Sequence, residues 1–221
     1  MRLNGWVGAT ALALAAIGAA GANDGHAIVP ARTETAVFAG GCFWGVQAVF
    51  AHVKGVISAE SGYTGGSART ATYENVSDGT TGHAESVRIV FDPAQVTYAQ
   101  LLDVFFRVAH DPTQLNRQGP DRGTQYRSAI WYTNAPQRQA AEAAIARLTQ
   151  SHVHRSPVVT QVAPLSQFHP AEAYHQDYFF RHPDAAYIVN NDAPKVEALH
   201  RQYPALWRDT PVLLTARSAS R

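Results

Sequence analysis

One short stretch constrains this chain more than any other. Residues 35–39 form a short apolar run, Gly40-Gly41 stop it, and Phe43, Trp44, Ala48, Val49 and Phe50 then recur at helical spacing up to Val53. A short continuous apolar run reads as a strand buried on both faces, and helical periodicity straight after two glycines reads as a strand-to-helix turn. A fold built on such a unit needs a sheet with helices laid against it. The turn also carries Cys42, the one cysteine among 221 residues.

The rest of the chain supplies matching pieces. Residues 56–63 alternate, and a glycine-rich loop with Gly62, Gly65 and Gly66 follows. Residues 85–91 alternate again, with Val87, Ile89 and Phe91 on one face, and stop at Asp92-Pro93. Thr97 reads as the cap of a helix to about 107, with Leu101, Leu102, Phe105 and Val108 inward. Residues 112–126 form a long polar loop, of a length that is uncommon without a function. Residues 128–132 and 158–163 read as strands. Pro136 opens an Ala-rich helix to 150, and 171–181 and 194–202 read as closing helices. The order strand–helix–strand–strand–helix–strand predicts an α+β chain: a ferredoxin-like two-layer α/β sandwich with extra C-terminal helices and long loops.

The N-terminus reads as an address. Arg2 precedes an apolar run over 6–22 that ends in Ala20-Gly21-Ala22. This predicts a secretory signal over 1–22, cleaved before Asn23, and export to the periplasm. The rival is an uncleaved membrane anchor, for which seventeen residues is the lower limit. A lipoprotein reading fails because Arg32 and Glu34 separate Cys42 from the apolar run. Residues 23–34 read as a flexible lead-in, 35–208 as a single catalytic domain and 209–221 as a tail. Hydrophobic residues make up 46%, enough for a sizeable core; the net charge is +1 with scattered arginines, which speaks against a nucleic-acid partner. One cysteine excludes an internal disulfide, a Cys-rich zinc site and an iron–sulfur cluster held by this chain alone.

Cys42 at a helix start has unpaired N–H groups and a dipole to stabilise a thiolate, which predicts a lowered thiol pKa and a nucleophile. The alternative is a small buried hydrophobe. Phe43 and Trp44 read as pocket walls or as helix core. Glu85, at the end of Gly82-His83-Ala84-Glu85, holds a proton near neutral pH if it is desolvated in a cleft. Tyr73, Tyr126 and the polar run Asp121-Arg122-Gly123-Thr124-Gln125-Tyr126-Arg127 are further candidates. Three other classes compete. The pairs Glu172-x-x-His175 and Glu197-x-x-His200, with His152-x-His154, suggest a metalloprotein, though one lacking the four-helix core such pairs need. A cysteine hydrolase pairs Cys42 with a histidine. A binding module needs no thiol at all.

The run Gly41-Cys42-Phe43-Trp44-Gly45 resembles the signature of the A-type peptide methionine sulfoxide reductases. The resemblance continues through Ser61-Gly62-Tyr63-Thr64-Gly65-Gly66, Tyr73 and Gly82-His83-Ala84-Glu85. It extends through Asp121 to Ser128 and through Ala171-Glu172-Ala173-Tyr174-His175-Gln176-Asp177-Tyr178. It implies that Cys42 attacks the sulfur of a methionine S-sulfoxide, that Glu85, Tyr73 and Tyr126 supply proton and hydrogen bonds to the departing oxygen, and that Phe43 and Trp44 receive the substrate methyl. Asp121 would orient the substrate. The implied products are methionine and a sulfenic acid on Cys42. Many relatives carry further cysteines to resolve that acid. This chain has Ser77 or a neighbour at one such position, and its 187–197 stretch resembles the single-cysteine members. The implied reductant is therefore external: a thioredoxin-like dithiol, glutaredoxin with glutathione, or a small thiol. No bound cofactor or metal is implied. The implied partners are oxidised proteins or peptides and a thiol reductant protein, in repair after oxidative stress; nothing in the sequence demands more than a monomer.

Overall fold

The computed structural model describes residues 1–2 and 33–214. The apolar segment 6–22, the lead-in as far as residue 32 and the tail from residue 215 lie outside the described residues. The chain divides into two units, Met1–Pro30 and Ala31–Arg221, and every described strand and helix belongs to the second.

Strand β1 (Glu34–Gly40) turns at Gly41 into helix α1 (Phe43–Ala51). Strand β2 (Val56–Thr64), the short α2 (Tyr73–Ser77), strand β3 (Ala84–Phe91) and α3 (Tyr98–Val104) follow. A small hairpin, β4 (Arg117–Gln118) and β5 (Asp121–Arg122), precedes β6 (Ser128–Tyr132) and α4 (Ala135–Ser151). The chain closes with β7 (Gln161–Pro164), β8 (Phe168–Pro170), α5 (Tyr178–Arg181) and α6 (Ala193–Gln202).

The main sheet has the order β7-β6-β1-β3-β2-β8. Its centre, β6-β1-β3-β2, is antiparallel throughout and forms with α1 and α3 the β-α-β-β-α-β unit of the ferredoxin-like fold. Strand β7 extends it in parallel beside β6, and β8 pairs antiparallel with β2. The central place of β1 explains its apolar run. Ala36 and Phe38 face the helices, while Val37 and Ala39 pack with Ala84, Ala129 and Trp131 on the other side. Phe38 stacks on Phe105 at 4.8 Å and meets Phe50 at 5.7 Å between ring centroids. Truncating such a ring costs about 3–5 kcal/mol.

Local signals act where the sequence places them. Thr97 and Gln100 form a capping box, and Asn134 Oδ1 accepts the Gln137 N–H at 2.9 Å at the start of α4. Four expectations need correction. Helix α1 stops at Ala51, and Val53 instead bridges to Trp207. Helix α3 passes into a π-helical turn, Phe105–Ala109, which ends where His110 becomes extended. The strand expected from 158 starts at Gln161, since Val159 donates to Pro112 O at 2.8 Å. Residues 171–181 are not one helix but a 3-10 turn, Ala173–His175, then a left-handed Asp177 (φ 54°), then α5. Gln176 bonds both the N–H (3.0 Å) and C=O (2.9 Å) of Ser61, and Asp177 donates its N–H to Gln47 Oε1 at 3.0 Å. These tertiary bonds override the helical propensity of the segment.

The polar loop 112–126 holds the β4–β5 hairpin and a 3-10 turn at Thr124–Tyr126. Beyond Arg208, Val212 packs on the core and donates to Ala51 O at 3.0 Å.

Candidate active site

The turn before Cys42 accepts only glycine at its centre. Gly41 has φ +89°, and a Cβ there would stand 2.4 Å from Gln118 Cβ. Gln118 is itself fixed, accepting the Asp111 N–H at 3.2 Å and donating to Asp111 O at 3.1 Å. Cys42 therefore occupies the N-cap of α1 and is 8% exposed.

Glu85 reaches the same point from the sheet. It shares the parity of Val87, Ile89 and Phe91 on β3, so it points to the helix side, and it lies opposite Tyr63 in register. It is 3% exposed, and its Oε2 accepts the Phe43 backbone N–H at 3.0 Å. Burial raises its pKa to about 8, aided by the negative Asp121 and Asp192, against the opposing pull of the Phe43 N–H. At neutral pH the group is mostly a protonated acid.

The approach to Glu85 is clamped. Arg127 donates to Gly82 O (3.0 Å) and His83 O (3.1 Å). His83 Nδ1 accepts the Gly66 N–H at 3.2 Å, so Nε2 carries the proton it donates to Ser67 O at 3.0 Å.

The expected thiolate is corrected by this setting. Burial pushes the Cys42 thiol well above its ordinary value, and the charges of Glu85 and Asp192 push the same way. The Trp44 backbone N–H and the Lys195 ammonium oppose them and are outweighed. The helix start acts as expected, but desolvation is the larger effect. Cys42 rests as a thiol.

A half-buried rim surrounds the pair. The hydroxyls of Tyr73 and Tyr126 bond no protein group among the described residues, and both phenols are held neutral, first by burial and next by the nearby Glu85. Trp44 stacks on Tyr178 at 3.8 Å, meets Tyr187 edge-on at 5.8 Å and donates Nε1–H to His175 Nδ1 at 3.2 Å. Asp121 accepts a short hydrogen bond from the Tyr187 hydroxyl. Cys42, Phe43, Trp44, Tyr73, Glu85, Asp121 and Tyr126 thus converge from α1, α2, β3, β5 and the turn before β6.

Residues 34–206 match the family model described as peptide methionine sulfoxide reductase. The chain belongs to the peptide methionine sulfoxide reductase family. It is similar to peptide methionine sulfoxide reductase MsrA 2 of Mesorhizobium japonicum, 55% identical over 186 residues that cover 84% of this chain and 95% of that protein. A protein of the same name from Synechocystis is 52% identical over 171 residues, covering 77% and 80%. Among solved structures it is similar to the reduced form of Mxr1 from Saccharomyces cerevisiae (TM-score 0.64, 29% identity, covering 71% of this chain and 89% of that one). Methionine sulfoxide reductase A of Corynebacterium diphtheriae gives 0.61, 36%, 70% and 76%. The protein is an oxidoreductase, and its α+β sheet is the fold of these A-type reductases.

The candidate site also gathers residues that the sequence assigned elsewhere or left unassigned. Glu172, half of a supposed metal pair, instead accepts the Tyr63 hydroxyl at 2.8 Å and the Tyr73 N–H at 2.9 Å. His175, the other half, lies buried among aromatic rings, 5.0 Å from Phe43 and 4.5 Å from Tyr73 between centroids. His200 stacks on Trp207 at 4.5 Å. Among the described residues no group of three or more His, Cys, Asp or Glu side chains is placed to hold a metal ion. Tyr178, Tyr187 and Asp192 carried no site assignment. Asp192 is fully buried, with Lys195 Nζ 3.0 Å from its Oδ1. The signal for it was an opposite-charge pair three residues apart around Pro194.

Proposed function

We infer that the reductase takes the oxygen of methionine S-sulfoxide, in proteins, peptides or the free amino acid, through Cys42. The thiol sulfur bonds to the sulfoxide sulfur while Glu85 gives its proton to the oxygen and Tyr73 and Tyr126 donate hydrogen bonds to it. The S–O bond breaks, the hydroxyl passes to Cys42 and methionine leaves. The proton that the thiol loses balances the one Glu85 gives, so that overall cysteine thiol and sulfoxide become sulfenic acid and thioether. An external thiol then forms a disulfide with Cys42 and releases water, and a second thiol frees the enzyme. The chain's single cysteine requires that both thiols come from outside.

The observation that carries this reading is Glu85, a buried carboxylic acid that keeps its proton near pH 7 and is tied to the residue beside Cys42. Phe43 and Trp44 supply the apolar wall for the methyl group, and Asp121 with Tyr187 orients the polar end. The test is to mix reduced protein with each sulfoxide epimer, without added thiol, and trap with dimedone. A Cys42 adduct from the S epimer alone is expected; no adduct from a folded, reduced protein contradicts the mechanism.

Residues 1–22 are read as an export signal, which gives the reductase a role in repairing oxidised exported proteins. A periplasmic protein whose mass begins at Asn23 is expected. An intact N-terminus in the membrane fraction favours the anchor instead.

A further inference from the structure

Asp192 is more buried than any group the proposed chemistry uses. It has no exposed surface, its Oδ1 is paired with Lys195, and its Oδ2 is buried with no hydrogen-bond partner among the described residues. A buried carboxylate oxygen left without a partner is costly and calls for a function.

Its position supplies one. A Cβ on Gly45 would stand 2.1 Å from Asp192 Oδ1, so the absence of a side chain at Gly45 is what admits the carboxylate. Gly45 follows Cys42 by three residues at the first turn of α1, where positions i and i+3 are neighbours about 5–6 Å apart. The cap side chain at that point faces the same free N–H groups. Asp192 thus lies on the Cys42 side of α1, while Glu85 arrives from the sheet. The charged and titratable groups around it are Lys195 on α6, Cys42 at α1, Glu85 on β3, Asp121 on β5 and Tyr187.

The two carboxylates are held in different states. Burial raises the pKa of both, but Glu85 has only the negative Asp121 and Asp192 beside it and keeps its proton, whereas Asp192 has an ammonium at 3.0 Å that opposes its burial and favours its charged form. Two carboxylates with opposed environments divide acid and base roles. The thiol must lose a proton as it attacks, and Glu85, already protonated, cannot receive it. We propose that Asp192 is the general base of the first step, taking the Cys42 proton at Oδ2 while Glu85 protonates the sulfoxide oxygen, with Lys195 a positioning residue that keeps Asp192 ionised. The proton taken from sulfur balances the proton given to oxygen. Proton exchange with solvent then restores both groups.

The inference rests on Cys42 being the nucleophile. One methionine per Cys42 from the wild-type protein tests that by itself, and its absence overturns both. The specific test is the pH profile of the single-turnover rate in wild type, Asp192→Asn and Lys195→Met. The wild type should give a bell, with the acid limb set by Asp192 and the alkaline limb by Glu85. Asp192→Asn should lose about 10²-fold at pH 7 and lose the flat top of the bell, its rate rising with pH without a break until the Glu85 limb as hydroxide replaces the base. Lys195→Met should keep the bell and move its acid limb to higher pH. An Asp192→Asn protein whose profile keeps the wild-type shape, at the same height or merely scaled down, overturns the proposal. So does a Lys195→Met profile with an unmoved acid limb.

Discussion

Phe43 donates its backbone N–H to Glu85 at 3.0 Å, which ties the acid on β3 to the first residue of the helix that Cys42 caps. Sheet and helix are thereby locked in register at the reacting end. The bond also leaves Glu85 in a site that favours its protonated form, because one N–H does not offset the loss of water.

Glu85→Gln should lower the single-turnover rate by about 10²–10⁴-fold. It should also stabilise the protein at high pH. Glu85 has a folded pKa of about 8 against 4.5 ordinarily, so its contribution is complete below pH 4.5 and is lost as pH rises through 8. The loss runs at about 1.4 kcal/mol per pH unit between the two values. Denaturant unfolding should therefore favour Glu85→Gln at pH 9 and much less at pH 4. A pH-independent difference contradicts the buried-acid account.

Glu172→Ala removes the acceptor of both the Tyr63 hydroxyl and the Tyr73 N–H. Tyr63 is fully buried, so its hydroxyl is left unpaired. The expected cost is about 2–4 kcal/mol in urea unfolding, with a roughly tenfold slower single turnover because Tyr73 loses its anchor. Glu172→Gln should recover part of both. Full activity in Glu172→Ala would show that Tyr73 is placed by other contacts.

Much of this was legible in the chain. The parity of Val87, Ile89 and Phe91 already put Glu85 on the inner face, and the Gly40-Gly41 break already put Cys42 at a helix start. What escaped depended on partners far along the chain. Residues 171–181 carry a helical pattern, but Gln176 and Asp177 spend their hydrogen bonds on Ser61 and Gln47, more than a hundred residues away. The same distance hid Glu172, whose partners are Tyr63 and Tyr73, and turned it into half of a metal motif on paper. The thiol state of Cys42 was missed for a related reason. A helix start can be read locally, whereas the burial that outweighs it is a property of the assembled core.

His175 accepts the Trp44 indole N–H at Nδ1 only while neutral. Burial lowers its pKa from 6.5, so the neutral state is present at pH 7 and is lost as pH falls through the lowered folded value. Substrate affinity should weaken over that acid window as Trp44 loses its partner. His175→Gln keeps an acceptor that does not titrate and should flatten the dependence. Identical acid profiles in the two proteins would remove His175 from substrate positioning.

Gly41→Ala meets two obstacles, the positive φ and the 2.4 Å approach to Gln118. It should destabilise the protein by about 2 kcal/mol or more and slow the reaction. Adding Gln118→Gly should restore part of the stability, since it removes the Cβ and Cγ that the new methyl meets and leaves the backbone strain. No recovery in the double variant would mean that strain alone sets the cost, as read from thermal unfolding of the three proteins.

The most direct test counts methionine. Reduced protein is mixed with the S or the R epimer of a methionine sulfoxide peptide, without added thiol, and methionine formed per Cys42 is measured alongside the loss of free thiol. One equivalent from the S epimer, none from the R epimer, one thiol lost and no reaction in Cys42→Ser is the predicted result. Turnover that continues past one equivalent without thiol, or methionine formed by Cys42→Ser, contradicts a single nucleophilic cysteine recycled from outside.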